Sequence, residues 1–300
     1  MNIVKIERFL ARNLPGNFLK DTYVRGMRRL AEYGFFTGLT EVDTKFGFRM
    51  IVNRLDAVKW FIYYFGVFEP HISLAWSRLL RDGDVVIDIG GNVGYHALLA
   101  AKLVGSNGKV ITFEPSRIIF DQLCKHIEIN KFDNIRPLKL AISNYSGEAE
   151  FYYAGDNIQG NSSLLKSESS SISERVKCIT FQKITDYVTL SDVKLIKIDV
   201  EGAELLVLSG LSQCIDQLAK DVVIFVEISP DNTQSVHSIL KPFVDAGFEA
   251  RIIRNEYSTE FYRSSANVTF SPLKIHDGKI HDVVLSRDPS RFDVMEALTR

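Results

Sequence analysis

The feature that most constrains this chain is a change of hydrophobic period at Asp84. From there, short runs that are apolar on both faces alternate with segments of helical period. DVVIDIG, KVITFE, IRPLKLAIS, KLIKID and VVIFVEIS read as strands. GYHALLAAKLV, RIIFDQLCKHIEIN, AELLVLSG and DNTQSVHSILKPFVDAG, the last closed by Gly247, read as helices. FEARIIR and HDVVLSR supply two final strands. A strand apolar on both faces must be covered on both, and strands separated by helices run parallel. The expected fold class is therefore α/β, a doubly wound, mostly parallel, Rossmann-like sheet of seven strands. Ligands of such sheets bind at the carboxyl ends of the strands.

Residues 1–80 lack this alternation. They read as helices with one short hairpin, because TKFGFRMIVN (44–53) alternates like a strand. HISLAWSRLL (71–80) places Ile72, Trp76, Leu79 and Leu80 on one helical face that must pack on the segments after it. The expected organisation is a helical and hairpin extension over 1–80 and one domain over 81–300, with a Ser-rich loop insertion near 154–178. The interruption of the alternating pattern, roughly 148–182, holds EAEFYYAGD, a hairpin candidate, and then NSSLLKSESSSIS, which has little core potential. It is either a lid over a site or a tolerated loop.

Two strand ends carry the signs of a nucleotide site. In VIDIGGNVG (86–94), Gly90, Gly91 and Gly94 allow a tight turn and close backbone approach, and the next helix begins with free N–H groups. Asp88 lies just before the turn. Asn92 stands where a dinucleotide fingerprint needs its second Gly, so the segment reads as acidic-x-Gly-x-x-x-Gly. The next strand ends in FEPS, where Glu114, followed by Pro115, is placed to accept hydrogen bonds from ribose hydroxyls.

A third strand end is acidic. KLIKIDVEGAELLVLSG (194–210) puts Asp199 at the tip of a strand and Glu201 at the start of a helix, where the dipole favours its charge. Glu227 in VVIFVEIS falls at the tip of the following strand. Three carboxylates from two strand ends are thus expected around one pocket. Glu204 reads as a solvated helix acid.

The totals exclude several classes. A net charge of −1 offers no broad attraction to nucleic acid. Residues 1–30 are locally basic, which reads as a solvated helix face, with contact to a membrane surface or polyanion as the lesser alternative. The longest apolar run, WFIYYFGVF at 60–68, is too short to span a bilayer. Charges at Lys5, Glu7 and Arg8 interrupt any signal-peptide core. Three cysteines without a CxxC argue for a reducing compartment, and the expected location is cytoplasmic. The sequons at Asn144, Asn161 and Asn267 then read as chance.

Seven segments together resemble the FkbM family of methyltransferases. They are FGVFEPHISLAW (65–76), GDVVIDIGGNVGYHALLAA (83–101), VITFEPS (110–116), LAISNYSGEAEFY (140–152), GNSSL (160–164), LIKIDVEGAELLVLSG (195–210) and VVIFVEIS (222–229). They occur in family order over about half the chain. Gly91 stands where Ala is more usual, and ITDYV (184–188) replaces a Leu-Asp-Asp pattern. The resemblance implies transfer of a methyl group from S-adenosylmethionine, usually to a hydroxyl oxygen of a sugar, glycan or other small metabolite. It further implies that Asp88, Gly90, Gly91, Asn92, Gly94, Glu114, Pro115, Ala141, Ile142 and Asp199 bind the cofactor, with Ser143 beside them.

A hydroxyl acceptor needs a base within hydrogen-bond reach, or a divalent cation such as Mg²⁺ or Mn²⁺ that lowers its pKa. Asp199 is the first candidate as base or metal ligand, with Glu201 and Glu227 in support and His96 as a further candidate. The plainer readings are a carboxylate that orders the turn after its strand and a structural histidine. No Cys/His cluster suggests zinc. Aromatic residues at 60–68 and 151–153 suit either sugar stacking or the core. The competing functions are an NAD(P)-dependent oxidoreductase and a non-catalytic cofactor-binding partner protein. Oligomeric state is not legible.

Overall fold

The computed structural model describes every residue except 1–2, 16, 34–37, 54–58, 155–161, 165–169, 230–235, 257–260, 263–266, 275–279 and 298–300. Its N-terminal part holds helices α1 (Ile3–Asn13) and α2 (Asn17–Glu32) and the hairpin of β1 (Thr40–Asp43) with β2 (Arg49–Val52). Helices α3 (Lys59–Phe65) and α4 (Pro70–Leu79) come next. Pro70 suits the first helical turn, where its missing N–H costs nothing. Ile72, Trp76, Leu79 and Leu80 are buried, as their shared face requires. They join one apolar core with Val86, Leu98, Val110 and Leu195, so residues 1–80 share the core of the sheet. The aromatic run at 60–68 belongs to this core. Phe61 stacks on Tyr262 at 3.9 Å between centroids, and Tyr63, Tyr64 and Phe65 are buried.

The alternating part runs in order: β3 (Val85–Ile89), α5 (Tyr95–Val104), β4 (Lys109–Phe113), α6 (Arg117–Asn130), β5 (Ile135–Leu138) and β6 (Ala141–Ser143). Next come β7 (Gly147–Ala154), β8 (Ser162–Ser163), β9 (Ser170–Thr180), β10 (Val193–Ile198), α7 (Glu204–Ser212) and β11 (Val223–Ile228). Helix α8 (Val236–Asp245), strands β12 (Glu249–Ile253), β13 (Phe270–Pro272) and β14 (His281–Ser286), and a last helix, Ser290–Glu296, follow. The main sheet has the order β13-β12-β14-β11-β10-β3-β4-β5. Strands β5, β4, β3, β10 and β11 are parallel, whereas β14 is antiparallel to both of its neighbours, β11 and β12. Eight strands are present among the described residues, against seven expected. The additional one, β13, is a three-residue edge strand ending in proline, too short to show a period in sequence.

Alternation explains the continuous apolar runs. Val86, Val110, Leu195 and Val223 face one apolar core, and Ile87, Ile111, Ile196 and Ile224 face the other. From β3 the chain moves outward through β4 and β5, then returns to β10 on the opposite side of β3. The carboxyl ends of β3 and β10 therefore flank the crevice where such sheets bind ligands.

The insertion expected as a Ser-rich loop is largely strand where it is described. β9 pairs antiparallel with β7 and parallel with β6, giving a second sheet of order β6-β9-β7-β8. Exposed Arg175 and Lys177 alternate with buried Val176 and Cys178, which meet Ala141, Phe151 and Tyr153 in a small core. Serine content masks this alternation, because strand preference depends on what each face packs against. IRPLKLAIS, read as one strand, divides between the sheets: β5 stays in the main one and β6 joins the second.

Candidate active site

The turn after β3 is pressed between neighbouring strands. A Cβ on Gly90 (φ +84°) would lie 1.7 Å from the Asp199 carbonyl oxygen, and one on Gly91 would lie 2.1 Å from Thr112 Oγ1. Both glycine N–H groups donate to the Phe113 carbonyl at 2.9 Å. Asn92 comes next in the left-handed region (φ 47°), which asparagine tolerates better than most residues. Its N–H donates to Glu114 Oε2 at 2.9 Å, and the Ser116 N–H donates to Oε1 at 3.0 Å. Glu114 is buried at the end of β4. Burial pushes its pKa up to about 7, against the pull of the two N–H donors.

A cleft opens at this point. Its polar side chains are Asn92, Glu114, Asp199 and Glu201, beside Gly90 and Pro115; its apolar wall includes Leu140, Ala141, Ile142, Phe151 and Leu164. The second sheet thus supplies much of the apolar side. Tyr153 anchors that sheet through its hydroxyl, 2.7 Å from Ser116 Oγ at the start of α6. Asp88, Gly91, Gly94 and Ser143 stand behind the lining. Gly94 caps the start of α5 at φ +93°.

A buried polar row crosses the sheet beneath the cleft. Thr112, Asp88 and Lys197 are register partners on β4, β3 and β10. Thr112 donates to Asp88 Oδ2 at 3.1 Å, while Asp88 Oδ1 is buried without a hydrogen-bond partner. Lys197 also donates to Asp199 Oδ2 at 2.6 Å. Burial alone would lower the Lys197 pKa, but Asp199, Asp88 and Glu69 together raise it, so the ammonium stays charged. Burial raises the pKa of Asp88, with Lys197 and Thr112 opposing.

Near Asp199 two further acids are held above the usual carboxylate range. Burial, reinforced by Asp199 and Glu204, pushes Glu201 up to about 8. Burial, Asp199 and Asp282 raise Glu227 well above the usual carboxylate range. Glu227 is the register partner of Asp282, which meets His71 Nε2 at 3.1 Å and accepts from Asn255 Nδ2 at 2.8 Å. Neither Glu227 nor His96 lines the cleft. His96 is buried among Trp76, Tyr95 and Phe68, with Nε2 3.4 Å from Glu69 Oε2. Burial, then Lys197 and His71, hold it neutral. Glu204, read as a solvated acid, is fully buried. It accepts from the Gly202 N–H at 2.6 Å and from Ser229 Oγ at 3.2 Å, closing the turn that leads into α7.

Sequence reasoning missed Lys197 and Glu69. Lys197 had a signal: a lysine inside an apolar strand, two residues before an acid, shares its face. Glu69 had none, because its position beside His96, where it acts on Lys197, depends on how α4 packs. It starts α4 in a left-handed conformation (φ 41°). Among the described residues, no three His, Cys, Asp or Glu side chains form a group able to hold a metal ion. No described helix is long and apolar enough to cross a membrane.

A glycine turn at the switch point of a doubly wound sheet, with acids at the next strand ends, is the arrangement in which α/β proteins bind nucleotides. The family model of the methyltransferase FkbM domain matches residues 88–250, and the chain belongs to that family. Methyltransferase sdnD of Sordaria araneosa is 23% identical over 211 residues, covering 60% of this chain and 80% of the relative. Hexuronic acid methyltransferase AglP of Haloferax volcanii is 27% identical over 138 residues, 46% of this chain. That match covers 54% of AglP, so the chain spans about half of this relative. Methyltransferase FkbM from Methylobacillus flagellatus KT, a crystal structure, aligns with a TM-score of 0.45 at 15% identity, covering 94% of this chain and 58% of that one. The protein is accordingly an S-adenosylmethionine-dependent methyltransferase, which sets aside the oxidoreductase reading.

Proposed function

We propose that this methyltransferase acts on a hydroxyl oxygen of a sugar, glycan or other small metabolite, with Asp199 as the general base. The observation that carries the reading is Asp199 itself, a cleft-lining carboxylate held 2.6 Å from a buried lysine. The hexuronic acid methyltransferase among the relatives supports a carbohydrate acceptor.

The residues present fit the cofactor. Gly90 leaves the turn bare for close approach. Glu114 offers a carboxylate to the ribose hydroxyls and is already oriented by two backbone N–H groups. Ala141, Ile142 and Phe151 give the adenine an apolar wall. Bound S-adenosylmethionine supplies an electrophilic methyl group on a sulfonium sulfur. Asp199 takes the proton of the acceptor hydroxyl, and Lys197 fixes the orientation of that carboxylate. Glu201 carries its own proton near neutral pH and donates a hydrogen bond to an acceptor oxygen. Glu227 and His96, outside the lining, act through this network and do not touch the acceptor. Positioning of this kind is worth roughly 7–11 kcal/mol in well-oriented systems.

The test is incubation with isotope-labelled S-adenosylmethionine and a panel of hexuronic acids, neutral sugars and glycans, with and without chelator. A labelled methyl ether located by NMR is the expected product. A methyl group on nitrogen or carbon overturns the proposal. Cofactor bound but never consumed across the panel favours a non-catalytic binding protein.

A further inference from the structure

The described residues contain eight large hydrophobic side chains that are exposed, and five of them fall within the first 39 residues: Phe9, Leu19, Leu30, Tyr33 and Leu39. The core does not require them. On α1, Glu7 and Ala11 face inward while Lys5 and Phe9 face out, Phe9 with 63% of its surface exposed. On α2, Tyr23, Val24 and Met27 pack inward. Leu19, Thr22, Gly26, Leu30 and, just past the helix, Tyr33 succeed one another at helical spacing on the outer face. A Cβ on Gly26 would meet nothing within 4 Å, so this face is open. The outer face of α1 thus presents Phe9, and that of α2 presents Leu19 and Leu30, with Tyr33 just beyond, all opposite the side that the fold uses.

Charge singles out the occupant. Residues 1–39 hold seven Lys and Arg against three Asp and Glu, a local charge of +4. The whole chain carries −1, which leaves −5 for the remainder. Arg8 and Arg12 turn inward to the carbonyls of Asp43 and Tyr64. Lys5, Arg25 and Arg29 stay exposed beside the apolar residues. Aromatic and aliphatic side chains set among cations on a helix face match the boundary of an anionic bilayer, where both kinds of group are satisfied at once. A symmetric second copy would set this positive face against itself. A soluble polyanion would leave the apolar residues in water.

We propose that the outer faces of α1 and α2 seat the protein on an anionic lipid surface. This goes beyond the methyl-transfer reading and does not depend on the acceptor.

The test is flotation of the full chain with phosphatidylserine-containing vesicles and with pure phosphatidylcholine vesicles, at low and high salt. Binding to the anionic vesicles at low salt, released by salt, is expected. Arg25→Glu with Arg29→Glu should weaken it by on the order of tenfold or more, given about 1 kcal/mol per basic side chain near such a surface. Phe9→Ser with Leu30→Ser should also weaken it, with the melting temperature of both variants close to wild type. No anionic preference overturns the proposal. So does binding that the charge variant abolishes and the apolar variant leaves intact, which marks a plain polyanion patch. A concentration-dependent dimer that these variants dissolve, without vesicle binding, assigns the face to a second copy and equally overturns it.

Discussion

Lys197 stands opposite Asp88 in the register of β10 and β3 and donates to Asp199 Oδ2 at 2.6 Å. One buried cation therefore answers two carboxylates, one behind the cleft and one lining it. A lysine on an adjacent strand can do this only because side chains two residues apart share a face. The pairing keeps Asp199 oriented while the surrounding acids, Glu201 and Glu227, hold their protons.

Removing that cation leaves charge buried without a partner. Lys197→Met is expected to lower stability by about 3 kcal/mol in urea unfolding, with Lys197→Arg costing less. Equal stability of the methionine variant and wild type would show that the carboxylates do not depend on Lys197.

Asp199→Asn keeps the shape of the cleft and removes the proposed base. Turnover should fall by at least about 100-fold, a common contribution of general-base catalysis, while cofactor affinity stays near wild type. Near-normal turnover in initial-rate assays would dismiss Asp199 as the base.

Glu114→Gln replaces one acceptor oxygen with an amide that faces either a backbone donor or the ribose. S-adenosylmethionine should bind about 10–100-fold more weakly by calorimetry, the equivalent of a hydrogen bond to a charged group. In the wild type, affinity should rise as pH passes through about 7, where the Glu114 proton leaves and both oxygens become acceptors. Unchanged affinity in the folded variant would count against the ribose assignment.

The pH dependence of folding carries its own sign. Glu201 has a folded pKa of about 8, above its ordinary value of 4.5. Its contribution is intact below the ordinary value and is lost as pH rises through about 8, because only the unfolded chain ionises it freely in between. Melting temperatures of the cofactor-free protein should therefore fall less steeply over that window in Glu201→Gln than in wild type. Parallel curves would refute the assignment.

The two glycines of the turn should differ under substitution. Gly90→Ala drives a Cβ into the backbone carbonyl of Asp199 at φ +84° and should abolish folding or cofactor binding. Gly91→Ala meets Thr112 Oγ1, the end of a side chain, so pairing it with Thr112→Ala should restore much of the loss. Failure of that rescue, by thermal shift with cofactor, would show that the clash is not the cause.

Much of the fold was legible because continuous apolar runs have one interpretation, a sheet covered on both sides, as Val86 and Ile87 show by entering different cores. The Gly turn and Glu114 were legible because close backbone approach and a strand-end acid leave their residue types in the sequence. The strand at 170–180 was not, since its period is set by the β7 neighbour that it pairs with. Glu204 was misread as solvated because nothing local reveals that its oxygens close the Gly202 turn. The sequence alone determined the alternating sheet, the glycine turn and which acids end the strands. Only the tertiary structure decided that Glu69 from the extension meets His96 and acts on Lys197, that His96 is packed away from the cleft, and that Lys197 serves two acids. Burial and charge balance depend on neighbours far along the chain, and no local pattern encodes them.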